Sequence, residues 1–141
     1  MKKLYFLLLP ICFLFFTGCS KDFLKRYEDR VEGGSWELYD VNSFGIGGGT
    51  TLNVTSGRFT FLGGGQLEYR DNDGNLYQGT WDIRKEYYTD QTVRQLHIYA
   101  VDFTNQRVVS EVFDDMQFTG TNRFKAFIYA NTRTYTFKFK R

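Results

Sequence analysis

From Gly34 to the end of the chain, hydrophobic and polar side chains take turns. Trp36 and Leu38 alternate with Glu37 and Tyr39, Phe59 and Phe61 with Arg58 and Thr60, and Leu67 and Tyr69 with Gln66, Glu68 and Arg70. Tyr77, Gly79, Trp81 and Ile83 share a phase, then Leu96, Ile98 and Ala100, then Phe124, Ala126 and Ile128. The closing run is the most regular, with Tyr135, Phe137 and Phe139 opposing Thr136, Lys138 and Lys140. Neighbouring side chains of a strand point to opposite faces, so a period of two predicts strands with one buried side. Turn-forming residues part the runs at Gly63-Gly64-Gly65, Asn72-Asp73-Gly74, Thr89-Asp90-Gln91, Thr104-Asn105-Gln106, Gly120-Thr121-Asn122 and Asn131-Thr132. Hairpin-sized gaps of this kind predict an antiparallel meander of about eight to nine strands. No run after Gly34 has a convincing helical period, so no crossover is available for a parallel sheet. A single long sheet leaves two unpaired edges, and rolling it up removes them. The expected fold is all-β, an antiparallel up-and-down β-barrel of about eight strands over 34–141.

The first part of the chain has a different pattern. Met1-Lys2-Lys3 is positive, and Leu4 to Phe16 is apolar apart from Pro10. A membrane-spanning helix needs roughly 20 apolar residues, so this shorter run predicts a secretory signal over 1–18. Lys21, Asp22, Lys25 and Arg26 follow at once. Phe16-Thr17-Gly18-Cys19, with small residues ahead of the cysteine, resembles the bacterial lipobox. The resemblance implies that Cys19 becomes the first residue and carries a diacylglyceryl group and an N-acyl chain. Each buried methylene adds about 0.8 kcal/mol, and two or more chains anchor a protein where one alone binds marginally. Ser20 follows the cysteine where lipoproteins kept in the inner membrane often have Asp, which implies the outer membrane and leaves the leaflet open. Ordinary secretion with cleavage near Gly18 is the alternative. Residues 19–33 then form a tether, and Leu24, Tyr27 and Val31 predict a turn or two of helix at its far end.

Composition narrows the chemistry. The two cysteines are Cys12, inside the signal, and Cys19. After processing no thiol is left for a disulfide, a metal or a nucleophile, so the domain relies on its core. About 120 residues suffice for one such core and not two. Of 18 Lys+Arg, Lys2 and Lys3 leave with the signal, so 16 face 16 Asp+Glu and the mature chain is near neutral. That balance argues against a nucleic-acid partner. Aromatic residues make up 19% of the chain, which suits half-buried sheet surfaces.

Gly34-Ser35-Trp36 at the start of the first strand is similar to the Gly-x-Trp signature of lipocalins. More widely, the lipobox, Gly34 to Leu38, Phe118 to Phe124 and the closing Tyr135 to Arg141 resemble the small lipocalin-like lipoproteins of Bacteroidota. The resemblance implies that Trp36 closes one end of the barrel beneath a basic residue from late in the chain. Arg141 is the first candidate for that role and Arg133 the second.

Individual residues offer little catalysis. His97 is the single histidine, set among Leu96, Ile98 and Tyr99, and predicts a strand residue on the less buried face. Asp71-Asn72-Asp73-Gly74-Asn75 has oxygens at alternate positions as calcium loops do. The glycine and final glutamate of such a loop are replaced by Leu76 and Asp82, so a hairpin turn is expected. Asp114 and Asp115, being neighbours, cannot share a substrate on a strand, and a bulge or exposed edge is expected there. Neither glycine triplet has the Gly-Lys-Ser/Thr ending of a phosphate loop, and the one at Gly47 predicts a mobile flap. No catalytic residue, metal or cofactor is implied, and an enzyme is not expected.

Between Val93 and Tyr129 both faces carry apolar residues, since Tyr99, Val101, Phe103, Val109, Phe113, Phe127 and Tyr129 oppose the inward set. Either an outer patch binds something or a bulge exchanges the faces partway. Two functions follow as expectations. In a hollow barrel, Phe61, Tyr69, Tyr77, Trp81 and Phe137 would line a site for a small apolar or amphiphilic ligand. In a barrel filled by its own side chains, an outer patch of Tyr99, Phe113 and Tyr129 would dock an envelope protein or glycan, as an inhibitor or accessory subunit.

Overall fold

A computed structural model describes residues 25–141. The signal, Cys19, Leu24 and the start of the tether lie outside the described residues. A short helix α1 (Tyr27–Val31) precedes nine strands: β1 (Gly34–Gly45), β2 (Gly57–Leu62), β3 (Gln66–Arg70), β4 (Leu76–Tyr87), β5 (Thr92–Asp102), β6 (Arg107–Phe113), β7 (Asp115–Gly120), β8 (Arg123–Ala130) and β9 (Arg133–Lys140). After Gly34 the one helical element described is the 3-10 turn Gly63–Gly65 between β2 and β3. The predicted turns fall between strands, except that Gly120 is the last residue of β7, and the period-two residues from Trp36 to Phe139 face one buried side.

All nine strands join one antiparallel sheet in the order β6-β5-β4-β3-β2-β1-β9-β8-β7. The hydrogen-bonded ladder is therefore open, where the pattern predicts a closed barrel. The opening falls at the one connection too short for a hairpin. Asp114 alone separates β6 from β7, and a hairpin needs about two residues to reverse the chain. Strand β7 consequently runs on past β6 and pairs with β8 instead.

The sheet is strongly curled. Phe113 of β6 and Phe137 of β9 stand six places apart in the strand order, yet their ring centroids are 4.9 Å apart. At about 4.8 Å per strand a flat sheet would separate those strands by about 29 Å. The curl brings both ends of the sheet onto a shared core of Trp36, Phe59, Phe61, Phe124, Phe137 and Phe139, all essentially inaccessible.

Two irregularities change which residues face inward, besides a register shift between Phe118 and Gly120 at the end of β7. Around Tyr39 the pairing of β1 with β9 slips between Leu38 and Asp40, so Val41 rather than Asp40 continues the inner face, opposite Phe137. At Asp114-Asp115 the inward positions pass from Val109 and Phe113 to Met116. The sequence expectation that put Val109 and Phe113 on an outer face is thus corrected: the face exchange lies after them. Both irregularities let a strand bend, which a tightly curled sheet requires.

Candidate functional site

Both ends of the curled sheet are covered, by different devices. At one end α1 lies against the sheet with Val31 fully buried. The indole Nε1 of Trp36 donates to the Val31 carbonyl at 2.9 Å. Arg141 holds its guanidinium 4.6 Å above the Trp36 ring and donates to the carbonyl of Arg30 at 2.9 Å. Gly34 makes room for it, since a Cβ there would come within 2.4 Å of Arg141 Nε. Gly34, Trp36 and Arg141, taken together from the sequence, are in contact. Arg133 is elsewhere, donating to the Gly47 carbonyl at 2.9 Å.

At the opposite end the β1–β2 connection, residues 46–56, folds over the sheet. Val54 is buried, Thr50 N–H donates to the Tyr135 hydroxyl at 3.0 Å, and Asn53 donates to the Ser110 carbonyl at 2.7 Å and to Glu111 Oε2 at 3.0 Å. Tyr69 donates its hydroxyl to the Ser56 carbonyl at 2.9 Å. The flap expected at Gly47 is in fact a loop bonded down along its length, because Leu52 and Val54 give it an apolar underside. Burial, with the negative charge of Asp71 nearby, pushes the Tyr69 hydroxyl up to about 12. Burial likewise raises the Glu111 carboxyl above its ordinary range.

Of the five residues predicted to line a cavity, Phe61, Trp81, Tyr69 and Tyr77 gather around Phe59, while Phe137 packs apart from them on Phe113. Phe61 and Phe137 are inaccessible, and Trp81, Tyr69 and Tyr77 nearly so. Phe61 meets Trp81 edge-on with centroids 5.2 Å apart, and Tyr69 lies 5.2 Å from Tyr77 and 4.4 Å from Phe59. Those are contact distances for aromatic rings. Their polar atoms are engaged too: Trp81 donates to the Leu62 carbonyl at 3.0 Å, and Tyr77 to Asp71 at 3.4 Å. This cluster supports the fold through contacts among its own rings.

The predicted outer patch separates. Tyr99 and Tyr129 are about half exposed, at 50% and 53%, while Phe113 is at 0% and packs on Phe137 and Phe139. Val112, not Phe113, points outward beside His97, and Val108 stands opposite Val101. An outward apolar strip therefore runs over β5 and β6 through Tyr99, Val101, Val108 and Val112. Tyr129 belongs to a different pair, stacked on Phe127 with centroids 6.2 Å apart. His97 sits partly exposed on that outer face, its Nε2 3.3 Å from Gln95 Oε1. Adjacent apolar pairs, Val108-Val109 and Val112-Phe113, fit both phases of a strand, which hid the true register.

The Asp71 turn is a structural knot. Asn75 donates to both Asp71 oxygens, and Arg107 reaches Asp71 at 3.8 Å and Asp102 at 3.0 Å. The side-chain hydrogen bond from Asn105 and the Arg107 bond hold the Asp102 carboxyl below its ordinary range. The Arg107 guanidinium thus supplies the positive charge beside these carboxylates. Among the described residues, no group of three or more His, Cys, Asp or Glu side chains is placed to hold a metal.

One feature escaped the sequence altogether. Beside α1 opens a cleft of about 780 Å³, between the projecting β4–β5 hairpin and the β7–β8 turn. Lys25, Arg26, Arg30, Lys85 and Arg94 line it, with Glu28 the single acidic lining residue. Its residues come from distant parts of the chain, so no local motif announces it. Compared with family models, with curated proteins and with solved structures, the chain matches none.

Proposed function

We propose that the chain is a non-enzymatic lipoprotein of the bacterial envelope, held by lipid on Cys19, that works by surface contact rather than by enclosing a ligand. The observation that carries this reading is that Phe61 packs on Trp81, Tyr69 on Tyr77 and Phe137 on Phe113, all of them buried. With β6 and β7 taken as one strand bent at Asp114, pairing first with β5 and then with β8, the sheet becomes a rolled, lipocalin-like barrel of about eight strands. Small barrels are commonly filled by their own side chains. The outward strip of Tyr99, Val101, Val108 and Val112 then serves as the docking face for an envelope protein or glycan. Exposed apolar strips of this kind mark contact surfaces.

The test is titration of a fluorescent fatty acid against the full chain. No saturable signal is expected; stoichiometric, saturable binding lost on Phe137→Ala would restore the hollow-barrel reading. Mass spectrometry of the native protein checks the anchor, with the expected product beginning at an acylated Cys19. On the outer face, Tyr99→Ser should leave folding intact.

A further inference from the structure

The cleft beside α1 is lined by charged side chains that are mainly cations. Five of its lining side chains are basic and one is acidic. Lys85 and Arg94 are direct cross-strand partners in the β4–β5 ladder. Like charges directly opposed on one face of a sheet repel and destabilise the pair. Both also continue the inner phase of their strands, after Trp81 and Ile83 on β4 and before Leu96 on β5. At these positions apolar residues would extend the core; two cations stand there instead, beyond its end.

Among the described residues, no carboxylate forms an ion pair with either of them. Asp115 lies behind Arg94, but its oxygens accept from the backbone N–H groups of Arg94 and Met116 and from the Gln117 side chain. The Arg94 guanidinium is stacked 4.1 Å over the Tyr27 ring, and Arg30 lies 3.7 Å over Phe118. Stacking orients both guanidinium groups; Arg30 Nη2 donates to the Gly120 carbonyl at 3.1 Å, and the remaining N–H edges can still donate to a ligand. Tyr27, Ile83 and Phe118 supply an apolar wall between the cations. The combination is a shallow site for an anionic group that carries an apolar body.

Its position narrows the source. Lys25 on the cleft rim is six residues after Cys19. A chain of that length spans at most about 20 Å. Lipid on Cys19 would therefore keep the rim within about 20 Å of a bilayer surface, where lipid phosphates are the most abundant anions.

We propose that this cleft binds the headgroup phosphate of an anionic phospholipid, so that the α1 end of the domain lies down on the membrane that the anchor reaches. The inference rests on the lipid-anchor reading for its geometry, while the cleft chemistry stands apart from it. Lys85 and Arg94 take the phosphate, and Tyr27 and Phe118 meet the glycerol portion.

The experiment uses the full chain with nanodiscs of phosphatidylcholine, either alone or doped with phosphatidylglycerol, and follows backbone hydrogen exchange. Slower exchange over 26–31 and 83–94 is expected with the doped discs only, and raised salt should remove it. The deciding variant is Lys85→Glu, which places opposite charges across the ladder from Arg94. Its unfolding midpoint should not fall, yet the added protection should drop about fivefold or more. A merely structural Lys85 would leave protection unchanged. Equal exchange in the two kinds of disc overturns the proposal, as does equal protection on adding inorganic phosphate to neutral discs, which would assign the cleft to a free anion. Association with neutral discs reports the anchor separately: a chain that binds only doped discs supports the cleft and refutes the lipid on Cys19.

Discussion

The two ends of the curled sheet face the same problem, an exposed aromatic core, and solve it with different chemistry. At the α1 end the cover is held by packing and by a permanent cation: Val31 seals, Trp36 bonds to its carbonyl, and Arg141 lies over the indole. At the loop end residues 46–56 are held by hydrogen bonds with Tyr135 and with two groups whose protonation burial shifts, Tyr69 and Glu111. The α1 end should therefore depend on bulk and shape, and the loop end should also respond to pH. That division suits a domain whose α1 end carries a basic cleft, since guanidinium groups keep their charge under all physiological conditions.

The sharpest way to break the α1 end is Trp36→Ala. It removes a fully buried indole and its bond to α1, and should destabilise the domain by about 3–5 kcal/mol. Urea unfolding measures it, and loss of helix-end protection in hydrogen exchange should precede global unfolding. The matching change at the loop end, Val54→Ala, removes two methyl groups and should lower stability by about 2 kcal/mol. If the loop were a free flap, this second substitution would have no effect.

Much of the strand pattern was legible from the period of two because a one-residue register error would expose the inward aromatics such as Trp36, Phe59, Phe61, Phe137 and Phe139. Trp36 and Phe59 could be placed inward for that reason alone. Phe113 could not, since Val112 beside it is equally apolar and the face exchange depends on how Asp114-Asp115 bends the chain. The loop was misjudged from its glycines, although Leu52 and Val54 carry the signal that it packs down. The cleft needed three dimensions: Lys85 and Arg94 meet through a strand register, and Arg30 joins them only through the docking of α1.

Next in size, alkaline unfolding separates the ends. The Tyr69 hydroxyl ordinarily titrates near 10 and in the folded chain near about 12. A raised folded value favours the neutral phenol, so its contribution is intact below pH 10 and is lost as pH rises toward 12. Tyr69→Phe loses the bond to Ser56, at about 1 kcal/mol at pH 7, but should flatten this alkaline decline. Trp36→Ala should leave the shape of the decline as it is. Arg141→Ala, which removes the cation over the indole, should cost about 0.5–2 kcal/mol with no new pH dependence.

The smallest effect discriminates most finely. Glu111 accepts a hydrogen bond from Asn53, but burial raises its carboxyl above the ordinary glutamate range. Protonation therefore favours the fold: this contribution is complete below the unfolded value of 4.5 and is lost as pH rises through the raised folded value. Glu111→Gln keeps an oxygen for the Asn53 N–H and removes the charge that burial disfavours. The variant should be slightly more stable than the parent at pH 7 and indistinguishable from it at pH 4, in paired urea titrations. A loss of stability at pH 7 would mean that the carboxylate itself, rather than any acceptor at that position, pins the loop, and the loop end would then be held by charge as the α1 end is.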